Sequence, residues 1–437
     1  MMSPTLAPLR ELVDPRVGVV RRISRIARGA TEPVPPQFYQ ATLPHFDFKK
    51  AKPHERIGVG KAVKEEDAIN AAIAEALERY CASQPDTGSM RRFTWKDRPG
   101  DAITPADCVL YSDSQYTSGR LRYGRWDENI EVPWLQGREL PGERPLWAPV
   151  SMICLDYPGN DMDTYFCQPT SNGLAGGATL EAAILAGLYE LIERDSFLIM
   201  WMNRLPAAEI DIPASAHVEA SVIRHYGRFE IDTRVFRLPT DMPVHVMMSV
   251  LLDRREKRPA AVIGLGCHSD PQVAVRKALF ETAQVHPGEV DRCADPQYTE
   301  RLHAYQDVRT LEDHSAFFGS AARLPELAFL LDNSTRQGLD ELPNLTTGTL
   351  GGDVDRCVTA LCQAGCRVFY ADITTPDLDD YAIRIVRTIA TGLQPIHFGY
   401  GEERLGGKRL YEIPRILGYT DAVTTEAAIN RCPHPLP

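Results

Sequence analysis

The stretch that decides the fold reads SNGLAGGATLEAAILAGLYELIERD and spans residues 171–195. Three of its first seven residues are glycine, which is typical of a loop. Thr179 follows as the expected N-cap of a helix, and the apolar residues after it keep helical spacing until Pro206 ends the pattern. The stretch therefore predicts a glycine-rich loop that leads directly into a long, largely apolar helix over residues 179–203.

Two further long helices and a strand pair accompany this stretch. Helical periodicity covers residues 65–81 and 272–285, and the apolar runs 244–252 and 260–267 flank a charged turn, as in a hairpin. The final third is predicted as helix, strand and helix, near residues 356–363, 367–373 and 378–391. Because helices and strands mix without regular βαβ alternation, the sequence predicts an α/β fold of mixed α+β type, with mostly antiparallel sheet and long packed helices.

The composition is that of an acidic globular protein. The 437 residues carry 48 Lys and Arg against 59 Asp and Glu, a formal charge of −11, which disfavours binding to a nucleic-acid backbone. No apolar run approaches the ~20 residues that a membrane helix needs, and the first residues lack the apolar core of a secretory signal. The ten cysteines form no C-x-x-C pair, so they favour reduced thiols and a cytoplasmic location.

Glutamate pairs recur on two of the predicted helices. Glu75 and Glu78, and likewise Glu190 and Glu193, are three residues apart, so each pair projects from one helix face. A single such pair is typical of a solvated face paired with arginine, but recurrence among apolar residues favours a shared cation site. Magnesium prefers carboxylates together with substrate phosphates, whereas a di-iron bundle would need histidines at positions where neither helix has one. The pattern therefore predicts magnesium with a nucleotide.

Two Gly-x-Gly motifs do not complete a phosphate-binding loop. Gly58-Val-Gly60-Lys61 lacks the rest of a Walker A sequence, and Gly264-Leu-Gly266 lacks a third glycine. Both motifs are interpreted as turns, so the nucleotide would bind without a standard phosphate loop.

At these motifs the chain resembles the YcaO family, whose members bind ATP in an unusual fold and use it to activate peptide backbone amides. The resemblance runs from about residue 12 to the end. It rests on GVGK at 58–61, AAIAEALERY at 71–80, the block 171–195 and ALFETAQ at 278–284. It implies a YcaO-type ATP-binding fold, with a catalytic domain over residues 51–437 after an N-terminal segment of short strands and loops over residues 1–50.

The resemblance also implies a binding site for magnesium and ATP. The paired glutamates Glu75, Glu78, Glu190 and Glu193 would hold the metal and the nucleotide phosphates. The other nucleotide-binding residues that it implies are Lys61, Asn70, Asn172, Glu181, Arg194, Lys277 and Glu281. Two positions depart from the family pattern. Asn70 stands where the family has serine, and Lys277, next to Arg276, stands where it has arginine four residues before Glu281.

The sequence ends in a Pro-x-Pro-x-Pro motif formed by Pro433, Pro435 and Pro437. Alternating prolines impose an extended, polyproline-like rod, although in most proteins a chain end of this kind is frayed. Together with RLYEIP at 409–414, this ending resembles that of azoline-forming YcaO cyclodehydratases, whose terminal segment reaches the active site. The resemblance implies catalytic roles for the three prolines and Arg194, with the carboxylate of Pro437 supplying or orienting a proton acceptor.

The resemblance thus implies an ATP-dependent cyclodehydratase of the D-protein type in the biosynthesis of thiazole- and oxazole-modified peptides. A Cys, Ser or Thr side chain of a ribosomal precursor peptide would attack the preceding amide carbonyl, and the resulting oxyanion would take the γ-phosphoryl group of ATP. Loss of phosphate would leave a thiazoline or an oxazoline. The alternatives are thioamide or amidine formation by the same activation, and a non-catalytic ATP-binding scaffold.

The expected partners follow from the same resemblance. In the family, leader-peptide capture usually belongs to a small winged-helix-like domain, often on a ThiF-like protein. No room for such a domain is seen before residue 12, so a separate ThiF-like, leader-recognition partner is expected. An FMN-dependent azoline dehydrogenase could then oxidise azolines to azoles. The family forms homodimers, and neither nucleic acid nor a membrane is expected as a partner.

Overall fold

The computed structural model describes residues 7–44, 56–98, 100–157, 166–253 and 259–436. The strands are β1 (Arg22–Arg25), β2 (Gln37–Thr42), β3 (Ile57–Ala62), β4 (Arg91–Thr94), β5 (Glu131–Leu140), β6 (Arg144–Pro149), β7 (Leu174–Gly177), β8 (Ala208–Asp211), β9 (Asp232–Arg237), β10 (His245–Leu252), β11 (Ala261–His268), β12 (Arg336–Gly338), β13 (Val368–Asp372) and β14 (Arg384–Ala390). The helices are α1 (Glu65–Ala82), α2 (Asp113–Thr117), α3 (Val150–Ile153), α4 (Leu180–Asn203), α5 (His217–Gly227), α6 (Pro271–Ala294), α7 (Pro296–Thr299), α8 (Leu311–Phe317), α9 (Ala328–Leu331), α10 (Leu350–Gln363) and α11 (Arg409–Ile416). Within these described ranges, no helix combines the length and the apolar character needed to cross a membrane.

The strands form three sheets. The first has the order β1-β2-β3, the second β11-β10-β9-β8-β12, and the third β4-β5-β13-β14-β7, with β6 also paired to β5. The pairings between these strands are antiparallel except that of β8 with β12. The predicted mixture of helices with mostly antiparallel sheet is therefore confirmed. β1 and β2, from the predicted N-terminal segment, share a sheet with β3.

The helix predicted from the opening stretch is α4, the most deeply buried helix of the fold. The Thr179 hydroxyl caps its start by accepting a hydrogen bond from the N–H of Ala182, and Arg204 ends it in a left-handed conformation. α4 packs against β7 and β14 of the third sheet and against β10 and β11 of the second. Because it is covered from both sides, its side chains are apolar around most of its circumference.

Both Gly-x-Gly motifs lie inside strands rather than in turns. Gly58 and Gly60 are in β3, which packs against α1, and Gly264 and Gly266 are in β11, which packs against α6. A Cβ atom at any of the four would collide with the backbone of the packed helix. The interpretation as turns is therefore wrong, because these glycines allow helix and strand backbones to approach each other closely.

Two other elements differ from the sequence prediction. α6 continues through Pro287 to Ala294, and its last turns are held by the buried carboxylate of Glu289, which accepts hydrogen bonds from Arg292 and from Ser315 of α8. The helix predicted over 378–391 is wrong, because the segment contains β14. This strand pairs with β13 and β7 inside the third sheet, where β-branched residues pack well.

Candidate functional site

A cleft of about 1030 Å³ lies where α1, α4 and α6 approach β3 and β7. This volume is at the upper end of the range for small-molecule sites. The cleft wall includes eight of the residues predicted for the site, which are Lys61, Glu75, Glu78, Asn172, Glu190, Arg194, Lys277 and Glu281. Three helices that are far apart in sequence therefore bring their charged side chains to one cleft.

The first glutamate pair is fixed by backbone N–H groups. Glu75 accepts a hydrogen bond from a backbone N–H of β3 at 3.0 Å and forms an ion pair with Arg79 at 3.0 Å. Glu78 accepts a hydrogen bond from the N–H of Gly176 in β7 at 2.7 Å. Burial, and then the charges of Glu75 and Glu190, raise the pKa of Glu78 to about 8. Its carboxylate form would therefore be stabilised by a bound cation.

The second pair flanks an arginine. Glu190 accepts a hydrogen bond from the N–H of Gly173 at 3.1 Å, and burial raises its pKa. Burial also raises the pKa of Glu193, to about 7. Arg194 lies near both, with Nε 3.9 Å from Glu190 Oε1 and Nη1 3.6 Å from Glu193 Oε1. Its buried Nη1 has no hydrogen-bond partner among the described residues, so this donor is available to a phosphate.

An ion pair connects β3 and α6 at the wall of the cleft. Lys61 Nζ in β3 lies 3.3 Å from Glu281 Oε2. Burial alone would raise the pKa of Glu281, but the charges of Lys61 and Arg194 lower it below its ordinary value. Like Glu75 with Arg79, Glu281 therefore has its charge compensated by the protein itself.

The structure distinguishes the two basic residues that precede Glu281. Both line the cleft, but Arg276 donates from Nε to Glu219 of α5 at 2.6 Å, so its charge is already paired. Lys277 donates only to the carbonyl oxygen of Cys267, at 3.2 Å, among the bonds seen in the described chain. Because an ammonium group has three donors, Lys277 retains donors for a ligand and takes the position of the family's arginine.

Three of the predicted nucleotide-binding residues lie outside the cleft wall. Asn70 is half-buried on α1, Glu181 is exposed in the first turn of α4, and Glu193 is buried. Helical geometry explains two of these positions. Asn70 is five residues before Glu75, about 140° around the helix, and Glu181 is nine residues before Glu190, about 180° around it.

Sequence reasoning missed two residues at the site. Gln284, on α6 three residues after Glu281, lines the cleft, and its buried Oε1 has no hydrogen-bond partner among the described residues. The Glu-x-x-Gln spacing was the available signal. Arg387 in β14 lowers the pKa of Glu190 by its charge, against the effect of burial. No local motif marks Arg387, because only the sheet brings it to α4.

The proline tail is buried in the protein rather than frayed. Pro433, His434 and Pro435 are buried, and Leu436 lines the cleft. Pro437 lies outside the described residues. The predicted path of the tail toward the glutamates is therefore supported as far as Leu436.

Hydrogen bonds to the tail come from three different parts of the chain. The indole N–H of Trp201 donates to the carbonyl oxygen of Cys432 at 2.9 Å. His314 donates from Nδ1 to the carbonyl oxygen of His434 at 2.8 Å, and His434 donates from Nε2 to the carbonyl oxygen of His397 at 2.8 Å. These bonds hold the tail segment in one position and one orientation relative to the rest of the chain.

The carboxylates suit a magnesium ion that is shared with phosphate. In the described part of the chain, no three His, Cys, Asp or Glu side chains are grouped to hold a metal on their own. Magnesium usually takes one or two carboxylates and completes its shell with waters and substrate phosphates. Glu78 and Glu190 have raised pKa values, and the buried Nη1 of Arg194 and Nδ2 of Asn172 have no partner among the described residues. A bound cation would stabilise the two carboxylates, and the phosphate bound with it would accept hydrogen bonds from the two unpartnered donors.

Comparison with known proteins identifies relatives along most of the chain. A family model described as YcaO cyclodehydratase, ATP- and Mg²⁺-binding, matches residues 59–394. An uncharacterized protein of Methanothermobacter thermautotrophicus is 27% identical over 356 residues, which cover 80% of this chain and 84% of that protein.

Two solved structures share the fold. A heterocyclase in complex with substrate and cofactor superposes with a TM-score of 0.80 at 25% identity, covering 98% of this chain and 56% of that chain. The heterocyclase TruD superposes with a TM-score of 0.68 at 26% identity, covering 84% of this chain and 50% of that chain. The chain thus spans about half the length of the two heterocyclase chains.

Proposed function

The chain belongs to the YcaO family, which binds ATP and Mg²⁺, and from this premise we propose that it is an ATP-dependent cyclodehydratase that converts Cys, Ser or Thr residues of a ribosomal precursor peptide into thiazolines or oxazolines. One observation supports this specific reaction in addition to membership of the family. Leu436 of the proline tail lines the same cleft as Glu78, Glu190 and Arg194. A nucleotide cleft and an anchored tail segment therefore meet where a peptide amide would be activated.

The residues of the cleft have separate roles in this proposal. Glu75, Glu78 and Glu190 of the cleft wall, together with the buried Glu193 outside it, would hold magnesium, and the metal would neutralise phosphate charge. Arg194, Lys61 and Lys277 donate to the phosphates, and Asn172 donates its unpartnered amide N–H to the nucleotide. Such fixed donors stabilise charge that develops during phosphoryl transfer. Asn70, Glu181 and Glu281 remain proposed nucleotide-binding residues.

The chemical step joins the peptide to ATP through one oxygen atom. The substrate side chain attacks the preceding carbonyl carbon, and the resulting oxyanion attacks the γ-phosphorus and displaces ADP. Phosphate then leaves with that oxygen as the nitrogen loses its proton and the ring double bond forms. An amide oxygen is a poor leaving group, and phosphorylation makes it a good one. We propose that Pro433, Pro435 and Pro437 hold the tail where it supplies or orients the proton acceptor.

The decisive experiment measures the mass of the peptide product. The full-length protein, Mg²⁺, ATP and its candidate precursor peptide, together with the proposed ThiF-like partner, should yield a product lighter by one water per ring. A folded sample that binds ATP and yields no loss of water under these conditions would overturn the cyclodehydratase proposal. A gain equal to the exchange of oxygen for sulfur, dependent on added sulfide, would assign the site to thioamide formation instead.

Two variants test the residues of the cleft. Glu190→Gln is expected to weaken Mg²⁺–ATP binding by roughly 10–100-fold, the range for loss of support at a metal site. Glu66→Gln, an exposed change on α1, is the matched control and should bind as the unmodified protein does. Equal affinities for the two variants would move the nucleotide away from Glu190.

The proposed assembly includes further proteins. We propose a homodimer, a ThiF-like partner that captures the leader peptide, and an FMN-dependent dehydrogenase that oxidises the azolines. Leu12 and Val20 pack into the core formed by α1, so the described N-terminal residues support the catalytic fold rather than a separate recognition domain. We also propose residues 51–437 as the catalytic domain. The ten free cysteines support the proposed cytoplasmic location.

A further inference from the structure

A second, smaller cavity of about 90 Å³ lies behind the nucleotide cleft, between β14 and the loop before β7. Asn172 belongs to the walls of both, so its side chain stands at the boundary between them. The other polar or charged side chains of the smaller cavity come from distant segments of the chain. They are Cys108, Ser151, Cys167, Gln168, Thr170, Arg387, Thr388, Gln394 and Arg404.

Two buried guanidinium groups line this cavity and are only partly satisfied. Arg387, 4% exposed, donates from Nε to the carbonyl oxygen of Met152 at 2.9 Å and from Nη2 to that of Thr170 at 2.6 Å. Arg404, 6% exposed, donates from Nη2 to the carbonyl oxygen of Gln168 at 2.6 Å. These bonds fix both side chains, and carbonyl oxygens do not neutralise their charge.

Three donors remain without a partner at this cavity. Nη1 of Arg387, Nε of Arg404 and Nδ2 of Asn172 are buried and make no hydrogen bond to any described residue, and the amide of Asn172 has two N–H donors, one for the nucleotide and one for this cavity. Buried polar groups of this kind are normally satisfied, so each donor indicates a missing acceptor, and the unpartnered Oε1 of Gln394 in the same wall would accept from a protonated oxygen of that ligand. The acceptor must reach the wall shared with the nucleotide cleft, because Asn172 belongs to both.

The charge of the cavity wall is positive. Among its described residues there are two arginines and no carboxylate. Burial lowers the pKa of Arg387 to about 10, which still leaves it charged at neutral pH, while the charge of Glu190 on the cleft side opposes this decrease. Burial also raises the pKa of the Cys108 thiol well above its ordinary value, so this thiol adds no negative charge. An anion would supply the missing counter-charge.

The size and geometry of the cavity select a small oxyanion. Its volume is well below the roughly 300–1,000 Å³ of pockets that hold small organic ligands, so it suits a small ion rather than a nucleoside. Guanidinium groups present N–H donors in a planar fork that matches the oxygens of phosphate. We propose that this cavity is a phosphate-binding site that is separate from the nucleotide cleft. The choice of phosphate rests on the proposed function, because that reaction releases one phosphate ion beside Asn172.

The experiment separates the cavity from the nucleotide cleft. Binding of inorganic phosphate to the full-length protein is measured by calorimetry, first alone and then with the cleft saturated by AMPPCP and Mg²⁺. We expect phosphate to bind in both conditions. Arg404→Gln should weaken the binding at least tenfold without changing the affinity for AMPPCP, and Arg387→Gln should also weaken phosphate binding at least tenfold. Arg125→Gln, an exposed change, should bind phosphate as the unmodified protein does.

Two outcomes would overturn the proposal. Phosphate binding that disappears when AMPPCP is present would place the ion in the nucleotide cleft. Absence of phosphate binding in both conditions would mean that the cavity holds only water. If either arginine variant fails to fold, these measurements on the unmodified protein still decide. Phosphate binding requires no peptide and no turnover. The peptide mass therefore tests the cyclodehydratase proposal, and phosphate calorimetry tests the phosphate site independently of it.

Discussion

Replacement of His314 by alanine is expected to release the proline tail and to slow peptide modification while leaving ATP affinity nearly unchanged. His314 is fully buried on α8. Its Nδ1 donates to the carbonyl oxygen of His434 at 2.8 Å, and its Nε2 accepts from the N–H of Gly399 at 2.8 Å. Both bonds require the neutral ring with its proton on Nδ1. The imidazole also stacks on that of His434, with ring centroids 4.0 Å apart.

The magnitude follows from the two groups that lose their partners. In the alanine variant, the His434 carbonyl and the Gly399 N–H would both be buried and unsatisfied, at about 1–3 kcal/mol each. The docked tail would therefore be destabilised by about 1–3 kcal/mol relative to a released tail through the His434 carbonyl, and the Gly399 N–H would add a similar cost to the fold as a whole. Every 1.4 kcal/mol changes a population ratio about tenfold, so even the lower limit shifts the tail substantially. The glutamates of the cleft lie on α1, α4 and α6, so ATP binding should persist.

Asparagine and glutamine at this position separate the two hydrogen bonds of His314. The amide nitrogen of His314→Asn can occupy the position of Nδ1 and keep the bond to the His434 carbonyl. His314→Gln reaches the position of Nε2 and can keep only the bond from Gly399. If anchoring of the tail is what matters, asparagine should restore much of the turnover that alanine loses, and glutamine should restore little.

The assay compares the maximal rate of ring formation with ATP affinity in all three variants, and limited proteolysis reports release of the tail. Thermal unfolding identifies any variant that is simply misfolded. Full turnover in His314→Ala, or equal turnover in the asparagine and glutamine variants, would refute the anchoring role. Removal of Pro433–Pro437 is the reference, because it should abolish ring formation while sparing ATP binding.

Three further predictions concern stability. Burial lowers the pKa of His314 from 6.5 to about 4, so as the pH falls the unfolded chain binds a proton before the folded protein does. The free energy of unfolding should therefore decrease between about pH 6.5 and 4, by up to about 3 kcal/mol from this residue. Urea titrations should show a smaller decrease for His314→Asn. Gly60→Ala should destabilise the fold by about 1–3 kcal/mol or more in the same assay, because its Cβ would collide with α1, whereas Gly227→Ala, where a Cβ meets nothing within 4 Å, should be neutral. Arg409→Met should cost about 3–5 kcal/mol in chemical denaturation, because it leaves the buried Asp195 without its ion pair at 2.7 Å.

The long helices could be predicted because their signal is local. α1 and α4 begin and end within one residue of the predicted bounds, since apolar periodicity and the Thr179 cap are properties of the segment itself. The pairing of Glu75 with Glu78 is equally local, because a spacing of three fixes a common direction on any helix. The meeting of the two glutamate pairs in one cleft depends on tertiary structure. In the sequence, only the recurrence of the motif indicated it.

The elements that sequence reasoning misjudged depend on contacts between distant segments. β14 is buried on both sides, so its apolar residues do not alternate with polar ones and resemble a helix as much as a strand. His314 and His434 are 120 residues apart, and no motif connects them. Arg387 and Arg404 each look like ordinary surface arginines in the sequence, and only the tertiary fold buries them around one cavity.

Contacts along α4 show that the tail runs beside this helix in the opposite direction. Trp201, near the end of α4, holds the carbonyl of Cys432. One turn earlier, Phe197 contacts the ring of His434 edge-on, with centroids 5.8 Å apart. Leu436 then reaches the cleft that the middle of α4 lines. The contacts of Cys432 and His434 thus move back along α4 by one turn, toward the cleft that Leu436 lines.

This match has a simple geometric cause. A polyproline segment advances about 3.1 Å per residue, so each two-residue Pro-x repeat covers about 6 Å. Four residues of an α-helix rise about 6 Å as well. Pro433 and Pro435 prevent the tail from contracting, so its spacing stays matched to that of α4 as far as Leu436. Because α4 also carries Glu190 and Arg194, the helix that positions these proposed phosphate-binding residues also positions the tail relative to them.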